Sequence, residues 1–202
     1  MVAEGKGEII PAPLPVILSE HDLLCIIQGA IEISRYNECT DTWKKGLLAT
    51  AVLPRLVGLT NSEKPIVGGK CGEYAFRCVV PKKYQRFVPP IDFKRRAKGD
   101  GGIDLRIGNT EVQIKTRVTS RQNLVRITKN GMRLPLVGEV FVFCEWRGDQ
   151  WAHVLGWIPK GTLVRMPVEP SRCGRWDNFV VDGKKLLNMS RLWAEISWRV
   201  NA

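Results

Sequence analysis

Two short strands and a tight turn are predicted by the stretch DGGIDLRIGNTEVQIKT, residues 100–116. The Gly108-Asn109 pair stands between two apolar runs, which is a typical signal of a β-hairpin. Because side chains alternate along a strand, Val112 and Ile114 of the second strand are expected to face the core. The stretch therefore indicates a half-buried hairpin with one polar face.

The polar side chains of this hairpin form a candidate site. Asp104 lies on the first strand, while Glu111, Gln113 and Lys115 share the polar face of the second. A carboxylate, an amide oxygen and an amine gathered on one small patch of sheet can hold a hard cation beside a phosphate. The pattern therefore predicts cleavage of a phosphodiester.

Charge favours a nucleic acid as the partner. The chain has 202 residues, enough for one well-packed domain, and a formal net charge of +11. Residues 81–99 contain seven basic side chains against one acid, and residues 116–138 contain five basic side chains and no acid. One-sided basic segments on both sides of the hairpin are typical of a polyanion track. The side chains best placed to contact phosphates are Lys82, Lys83, Arg86, Arg95, Arg96, Arg117 and Arg121.

Other classes are disfavoured by what the sequence lacks. The six cysteines form no Cys-x-x-Cys pair, and the two histidines have no partner at ligand spacing, so neither a zinc site nor a histidine-based centre is indicated. The N-terminus has no basic region before a long apolar segment, and the apolar runs are too short to span a bilayer. We therefore expect a cytoplasmic protein without a membrane segment.

The pattern of apolar residues divides the chain into an N-terminal part, residues 1–60, and a core with a C-terminal helix, residues 61–202. The N-terminal part is predicted to be an extended proline-containing arm, a helix capped by Ser19 and a second helix near 40–54. In the core the sequence predicts a helix over 66–80, the hairpin, paired strands over 137–146 and 151–158, loop over 160–182 and a helix over 184–198. Residues 118–134 fit a helix or a strand equally well.

Three segments of the core resemble the PD-(D/E)xK nuclease superfamily: GKCGEYA at 69–75, GID at 102–104 and VQIK at 112–115. They stand in the order of the superfamily's motifs, and the resemblance covers about residues 66–160. The helix glutamate of the superfamily maps onto Glu73, its strand aspartate onto Asp104 and its (D/E)-x-K pair onto Gln113 and Lys115. Gln113 replaces an acid, as in some branches of the superfamily, and Ile103 stands where the motif has proline.

This resemblance implies an α/β fold with a restriction-endonuclease-like core, in which a helix, a mixed β-sheet and a second helix follow an N-terminal helical extension. It implies an endonuclease that hydrolyses DNA phosphodiester bonds with Mg²⁺ or Mn²⁺. Glu73, Asp104, Gln113 and the backbone carbonyl of Ile114 would bind the ion, and Lys115 would serve the attacking water. Because cleavage of both DNA strands needs two active sites, the resemblance also favours a homodimer.

Two other interpretations stay open on the sequence. Gln113 brings no charge, so the chain could be a catalytically inactive module that binds nucleic acid on the same fold. Its basic face could instead meet an acidic protein partner. Each polar residue also has an ordinary structural interpretation; Glu73, for example, could pair with Arg77 one helical turn away.

Overall fold

The fold is mixed α/β. The computed structural model describes residues 12–19, 21–28, 64–91, 104–118, 122–126, 128–129, 132–134, 136–148, 151–171 and 176–201. The predicted helix near 40–54 and the basic residues Arg95, Arg96 and Arg121 lie outside these ranges. Within the ranges, no helix is both long and apolar enough to cross a bilayer.

The described elements are ten strands, five helices and one 3₁₀ turn. In chain order the strands are β1 (Leu14–Ile17), β2 (Leu105–Ile107), β3 (Thr110–Arg117), β4 (Asn123–Arg126), β5 (Thr128–Lys129), β6 (Met132–Arg133), β7 (Val140–Trp146), β8 (Trp151–Pro159), β9 (Val168–Pro170) and β10 (Asp177–Val181). The helices are α1 (21–28), α2 (Lys64–Val79), α3 (Lys82–Gln85), α4 (Lys160–Leu163) and α5 (Met189–Asn201), with the 3₁₀ turn at Gly183–Lys185.

Five strands form one mixed sheet in the order β1-β8-β7-β3-β2. The β3–β7 pair is parallel, and the other three pairs are antiparallel. The predicted strands over 137–146 and 151–158 are confirmed as β7 and β8. The N-terminal arm supplies β1, which pairs with β8 at one edge of the sheet, so this sheet includes residues from both predicted parts of the chain.

The predicted hairpin is confirmed at the opposite edge. Ile107 pairs with Thr110, which leaves Gly108 and Asn109 as a two-residue turn. Gly108 has φ 58°, a value that glycine adopts without a steric penalty and that the tight turns of hairpins require. Val112 and Ile114 are buried in the main core, as alternation predicted.

Helix α2 packs on the face of the sheet to which Val112 and Ile114 point. Its buried stripe includes Val67, Cys71 and Ala75, as the predicted helix over 66–80 requires. Gly68 lies against the side chain of Val118, just past the end of β3, and Gly72 lies against Thr116 within it. Helix α2 therefore runs antiparallel to β3 and lies directly on β3 and β7.

The other face of the sheet is covered by a small sheet in the order β4-β10-β9, with a separate core beneath it. The prediction of loop over 160–182 is wrong, because this segment supplies α4, β9 and β10. Strands of three to five residues give little local signal and depend on pairing and burial, here of Phe179 and Val181. The described residues of the ambiguous segment 118–134 are strands rather than a helix.

The C-terminal helix begins five residues later than predicted. Backbone hydrogen bonds run in both directions between Leu187 and Trp157 of β8, at 2.8 and 3.1 Å, so this part of the chain follows the sheet. The side chain of Asn188 then accepts from the amide of Ser190 at 2.9 Å and caps the helix. The start of α5 is therefore fixed by contact with β8.

Helix α1 is fastened to α2 through Asp22. The predicted cap is confirmed, because Ser19 Oγ accepts from the Asp22 amide at 3.1 Å and donates in return to Asp22 Oδ2. Tyr74 Oη of α2 donates to the same carboxylate oxygen at 2.7 Å. The hydrogen bonds from Ser19 and then Tyr74 lower the pKa of Asp22.

We expect this contact to make stability depend on pH. Because the pKa of Asp22 is lower in the folded protein than in the unfolded chain, its contribution is present above the unfolded value of about 3.9 and is lost as pH falls through the folded value. Tyr74→Phe should therefore weaken the acid dependence of the unfolding free energy, measured by urea titration between about pH 5 and pH 2. Tyr84→Phe, which removes a hydroxyl bonded to the Trp193 carbonyl, should retain the wild-type dependence. Identical profiles for wild type and Tyr74→Phe would contradict the assignment.

Candidate functional site

Asp104 lies directly before β2 begins and is held on the backbone of β3. Its amide donates to the Val112 carbonyl at 3.1 Å, and its Oδ2 accepts from the Ile114 amide at 2.5 Å. The carboxylate thus acts as an additional acceptor at the end of the two-stranded ladder. A side chain fixed in this way keeps its oxygens at one place beside β3.

Gln113 and Lys115 lie together on the face of β3 that is opposite α2. The parallel register places Gln113 beside Phe141 and Lys115 beside Phe143 of β7. Gln113 is only 8% exposed. A Cβ added to Gly138 would lie 2.9 Å from the Cβ of Gln113, so the chain at Gly138 covers the Gln113 side chain. Alternation correctly predicted the shared face, but this face is covered at Gln113 and half-exposed at Lys115.

Glu111, the remaining acid of the strand, belongs to a different contact. Its Oε1 accepts from Arg106 Nη2 at 2.6 Å across the hairpin, and the Arg106 side chain is largely exposed. The pair occupies the turn end of the hairpin, because Arg106 and Glu111 are directly opposite in the register. Glu111 is therefore a surface ion-pair residue in this structure.

Glu73 lies on the flank of α2 that is turned away from α1. Tyr74, on the opposite flank, donates a hydrogen bond to Asp22 of α1. Successive helix residues are 100° apart, so Glu73 lies on the other side of the buried stripe from Tyr74. The preceding residue, Gly72, lies against Thr116 of β3 and Cys144 of β7. The helix turn that carries Glu73 therefore packs on the middle strands of the sheet.

The carboxylate of Glu73 is bound by a lysine. Lys70 Nζ donates to Glu73 Oε1 at 2.7 Å and to Oε2 at 2.9 Å. Both side chains are largely buried, with 14% and 15% of their surface exposed. The sequence interpretation proposed Arg77 as the structural partner and missed Lys70, although the i,i+3 spacing of Lys70 and Glu73 on a predicted helix was a readable signal.

Cys144 of β7 lies against the α2 turn that carries Glu73. Its Sγ lies 3.7 Å from the carbonyl of Gly72, the residue before Glu73. Burial raises the pKa of the Cys144 thiol, and the negative charge of Asp104 raises it further. Asp104 therefore contacts β3 at Ile114, and the α2 turn that carries Glu73 contacts it at Thr116. The structure does not bring Gln113 and Lys115 to the face of β3 on which α2 packs.

A metal at this site would depend on oxygen ligands other than carboxylates. The part of the chain that the structure describes contains no group of three or more His, Cys, Asp or Glu side chains that could hold a metal ion. The ligand set predicted from the sequence has only two carboxylates, those of Glu73 and Asp104. The Gln113 amide and the Ile114 carbonyl would have to supply the rest.

The basic residues predicted to contact phosphates differ in their surroundings. Lys82, Lys83 and Arg86 are exposed on and directly after α3, the short helix that follows α2. Arg117 instead donates to Glu145, with Nη2 3.2 Å from Oε2. Burial tends to raise the pKa of Glu145, but hydrogen bonds from Arg147 and Arg117 lower this pKa and keep the carboxylate charged. Of the predicted phosphate contacts that the structure describes, the exposed ones therefore lie on and directly after α3, and Arg117 takes part in an ion-pair network.

Comparison with known proteins gives no relative. The chain matches no protein family model, no curated protein and no solved structure.

Proposed function

We propose that this protein is a Mg²⁺- or Mn²⁺-dependent endonuclease of the PD-(D/E)xK type, with a restriction-endonuclease-like core, that hydrolyses DNA phosphodiester bonds. One observation carries the proposal. Asp104 binds the amide of Ile114 just before β2 begins, and the α2 turn that bears Glu73 packs on Thr116, two residues further along β3. Two of the three motifs that resemble the superfamily thus contact one segment of β3, and Gln113 and Lys115 of the third lie on the face of that strand opposite α2.

The residues of this segment suit a hard divalent cation. Asp104 and Glu73 offer carboxylate oxygens, and Gln113 offers an amide oxygen. The Ile114 carbonyl is expected on the side of β3 toward Asp104, because the N–H and C=O of one strand residue point to the same neighbour. Mg²⁺ prefers such oxygen ligands, and when bound it polarises a phosphate oxygen and acidifies water.

Each residue of the chain then has a defined task. Asp104 and Glu73 would hold the ion with their negative charge, and Gln113, on the face of β3 opposite α2, could add only an uncharged amide oxygen. Lys115 accepts or orients the proton of the attacking water while a new P–O bond forms and the bridging P–O bond breaks. The departing sugar oxygen takes up a proton. The partly buried position of Lys115 limits the number of waters that can compete for its amine.

DNA is the proposed partner because a group of exposed basic residues follows α2 directly. Lys82, Lys83 and Arg86 are exposed there, and each side chain that neutralises a phosphate makes binding more sensitive to salt. A homodimer remains part of the proposal, since two sites are needed to cut both strands of a duplex.

The proposal is tested by cleavage of supercoiled plasmid with Mg²⁺ or with EDTA. Asp104→Asn retains an oxygen that can accept from the Ile114 amide but removes the charge, so the hairpin should persist while the rate falls by at least about a hundredfold. Glu111→Gln is the matched control, because it removes a carboxylate of the same hairpin that lies in a surface ion pair. Equal rates for wild type and Asp104→Asn would contradict the proposal.

A second candidate is a nucleic-acid-binding module on the same fold without catalysis. Two observations favour it: Glu73 is bound by Lys70, and the residue at the (D/E) position is a covered, uncharged glutamine. This candidate predicts duplex binding with a steep salt dependence and no Mg²⁺-dependent cleavage by the wild type. The same plasmid assay, combined with a filter-binding titration, separates the two.

A further inference from the structure

Arg126 and Trp176 form a stacked pair on the small β4-β10-β9 sheet. The guanidinium carbon of Arg126 lies 4.2 Å from the centroid of the Trp176 ring. Arg126 ends β4 and pairs in register with Asn178, two residues after Trp176, so the stacked side chains are diagonal neighbours on one face of this sheet. The adjacent residues Val125 and Phe179 are buried in the core beneath the sheet. The stack therefore lies on the face that is turned away from the main sheet.

Trp176 is held in place by its backbone. Its carbonyl accepts from the Ser171 amide at 2.7 Å, and its amide donates to Ser171 Oγ at 3.3 Å. Trp146 and Trp157 are buried in the main core, whereas Trp176 is half-buried and belongs to neither hydrophobic core of the described residues. The Trp176 ring therefore serves as a fixed platform for the arginine.

The stack leaves the hydrogen-bond donors of Arg126 accessible. A guanidinium that lies flat on an aromatic ring keeps its N–H groups directed outward in its own plane. The Arg126 side chain is exposed, and no acid of the described residues forms an ion pair with it. Glu169 shares its row of the sheet but lies two strands away, about 10 Å between the backbones. By contrast, Arg106 and Arg117 are each bound by a glutamate.

We propose that Arg126 binds a phosphate of the DNA backbone and that Trp176 is a positioning residue that holds the guanidinium flat for this contact. The inference rests on the proposed DNA partner but not on cleavage. A planar guanidinium matches a phosphate through two parallel hydrogen bonds, and the formal net charge of +11 favours a polyanion. Because stacking orients the guanidinium in advance, less side-chain freedom is lost when the phosphate binds.

The contact is tested by filter-binding titrations of a short DNA duplex in EDTA over a series of salt concentrations. Arg126→Ala should weaken binding by about tenfold, the size expected for one charge-assisted hydrogen bond. It should also lower the slope of log affinity against log salt by about one, because one phosphate contact is lost. Arg106→Ala is the matched control, since it removes an exposed arginine that Glu111 already binds, and it should keep the wild-type affinity and slope.

The positioning role is tested at Trp176. Trp176→Leu removes the ring and keeps the charge of Arg126, so duplex binding should weaken by about threefold with the salt slope unchanged. Trp176→Phe retains an aromatic face and should restore the wild-type affinity. Should Trp176→Leu fold poorly, Arg126→Lys keeps the charge without the planar donors and should likewise lose affinity at an unchanged slope.

The outcomes separate this inference from the proposed function. Equal affinity and slope for Arg126→Ala and Arg106→Ala would overturn the role of Arg126 and leave cleavage to be judged by the plasmid assay. A parallel titration with single-stranded DNA should show the same loss in Arg126→Ala. A loss confined to the single strand would instead indicate base stacking and overturn the phosphate contact. No duplex binding by the wild type would overturn both this inference and the DNA partner.

Discussion

Gly72→Ala is expected to destabilise the protein by about 1–3 kcal/mol, the usual cost of inserting a methyl group into a packed core. A Cβ at this position would lie 1.9 Å from Thr116 Oγ1, 3.1 Å from Thr116 Cβ and 3.2 Å from Cys144 Cβ. Helix α2 would have to move away from β3 and β7, and Glu73 would move with it. Urea unfolding of the variant measures the loss directly.

Gly69→Ala is the matched control for this substitution. It lies three residues earlier in the same helix, and a Cβ there would meet no atom within 4 Å. The only expected effect is therefore the higher helix propensity of alanine relative to glycine, which should stabilise the protein by up to about 1 kcal/mol. The double variant Gly72→Ala/Thr116→Ala removes the closest contact and should recover part of the loss. Equal stability of Gly72→Ala and Gly69→Ala would show that α2 does not approach the sheet so closely.

Lys115→Ala is expected to lower the rate of DNA cleavage by at least about a hundredfold, the usual contribution of a group that handles a proton in the transition state. Lys115 lies two residues after Gln113 on β3, beside Phe143 of β7, and is more exposed than Gln113. On the proposed mechanism, its loss removes the amine that handles the proton of the attacking water. Single-turnover cleavage at saturating DNA isolates this step from binding.

The affinity for duplex should change far less than the rate, because Lys115 is one positive charge among many. Lys184→Ala serves as the control for loss of an exposed lysine charge and should keep both the rate and the affinity of the wild type. A rate loss in Lys115→Ala that is matched by an equal loss of affinity would argue that Lys115 binds DNA and does no chemistry. A full rate would remove Lys115 from the mechanism.

Much of the main sheet could be predicted from the sequence because its elements carry strong local signals. The Gly108-Asn109 turn, the alternation around Val112 and the apolar stripe of α2 each specify an element without reference to distant residues. The small β4-β10-β9 sheet could not be predicted in this way. Its strands are short, and they are strands because β10 pairs on both sides and buries Phe179.

The sequence predicted which face of β3 carries Gln113 and Lys115 but not what surrounds them. Alternation put Gln113 and Lys115 on one face, yet it could not show that the chain at Gly138 covers Gln113. Likewise, the spacing of Lys70 and Glu73 allowed an ion pair but gave no measure of its burial. These properties depend on segments that are distant in sequence.

The sequence by itself determined which residues form the hairpin and α2, their polar and apolar faces, and a basic composition that favours a polyanion, since these follow from local periodicity and charge. Only the tertiary structure decided that Gly72 brings α2 against Thr116, that Asp104 binds the Ile114 amide and that Lys70 holds Glu73 in a largely buried pair. The physical reason is that burial and contact between layers are set by packing across the sheet, which a single stretch of chain does not encode.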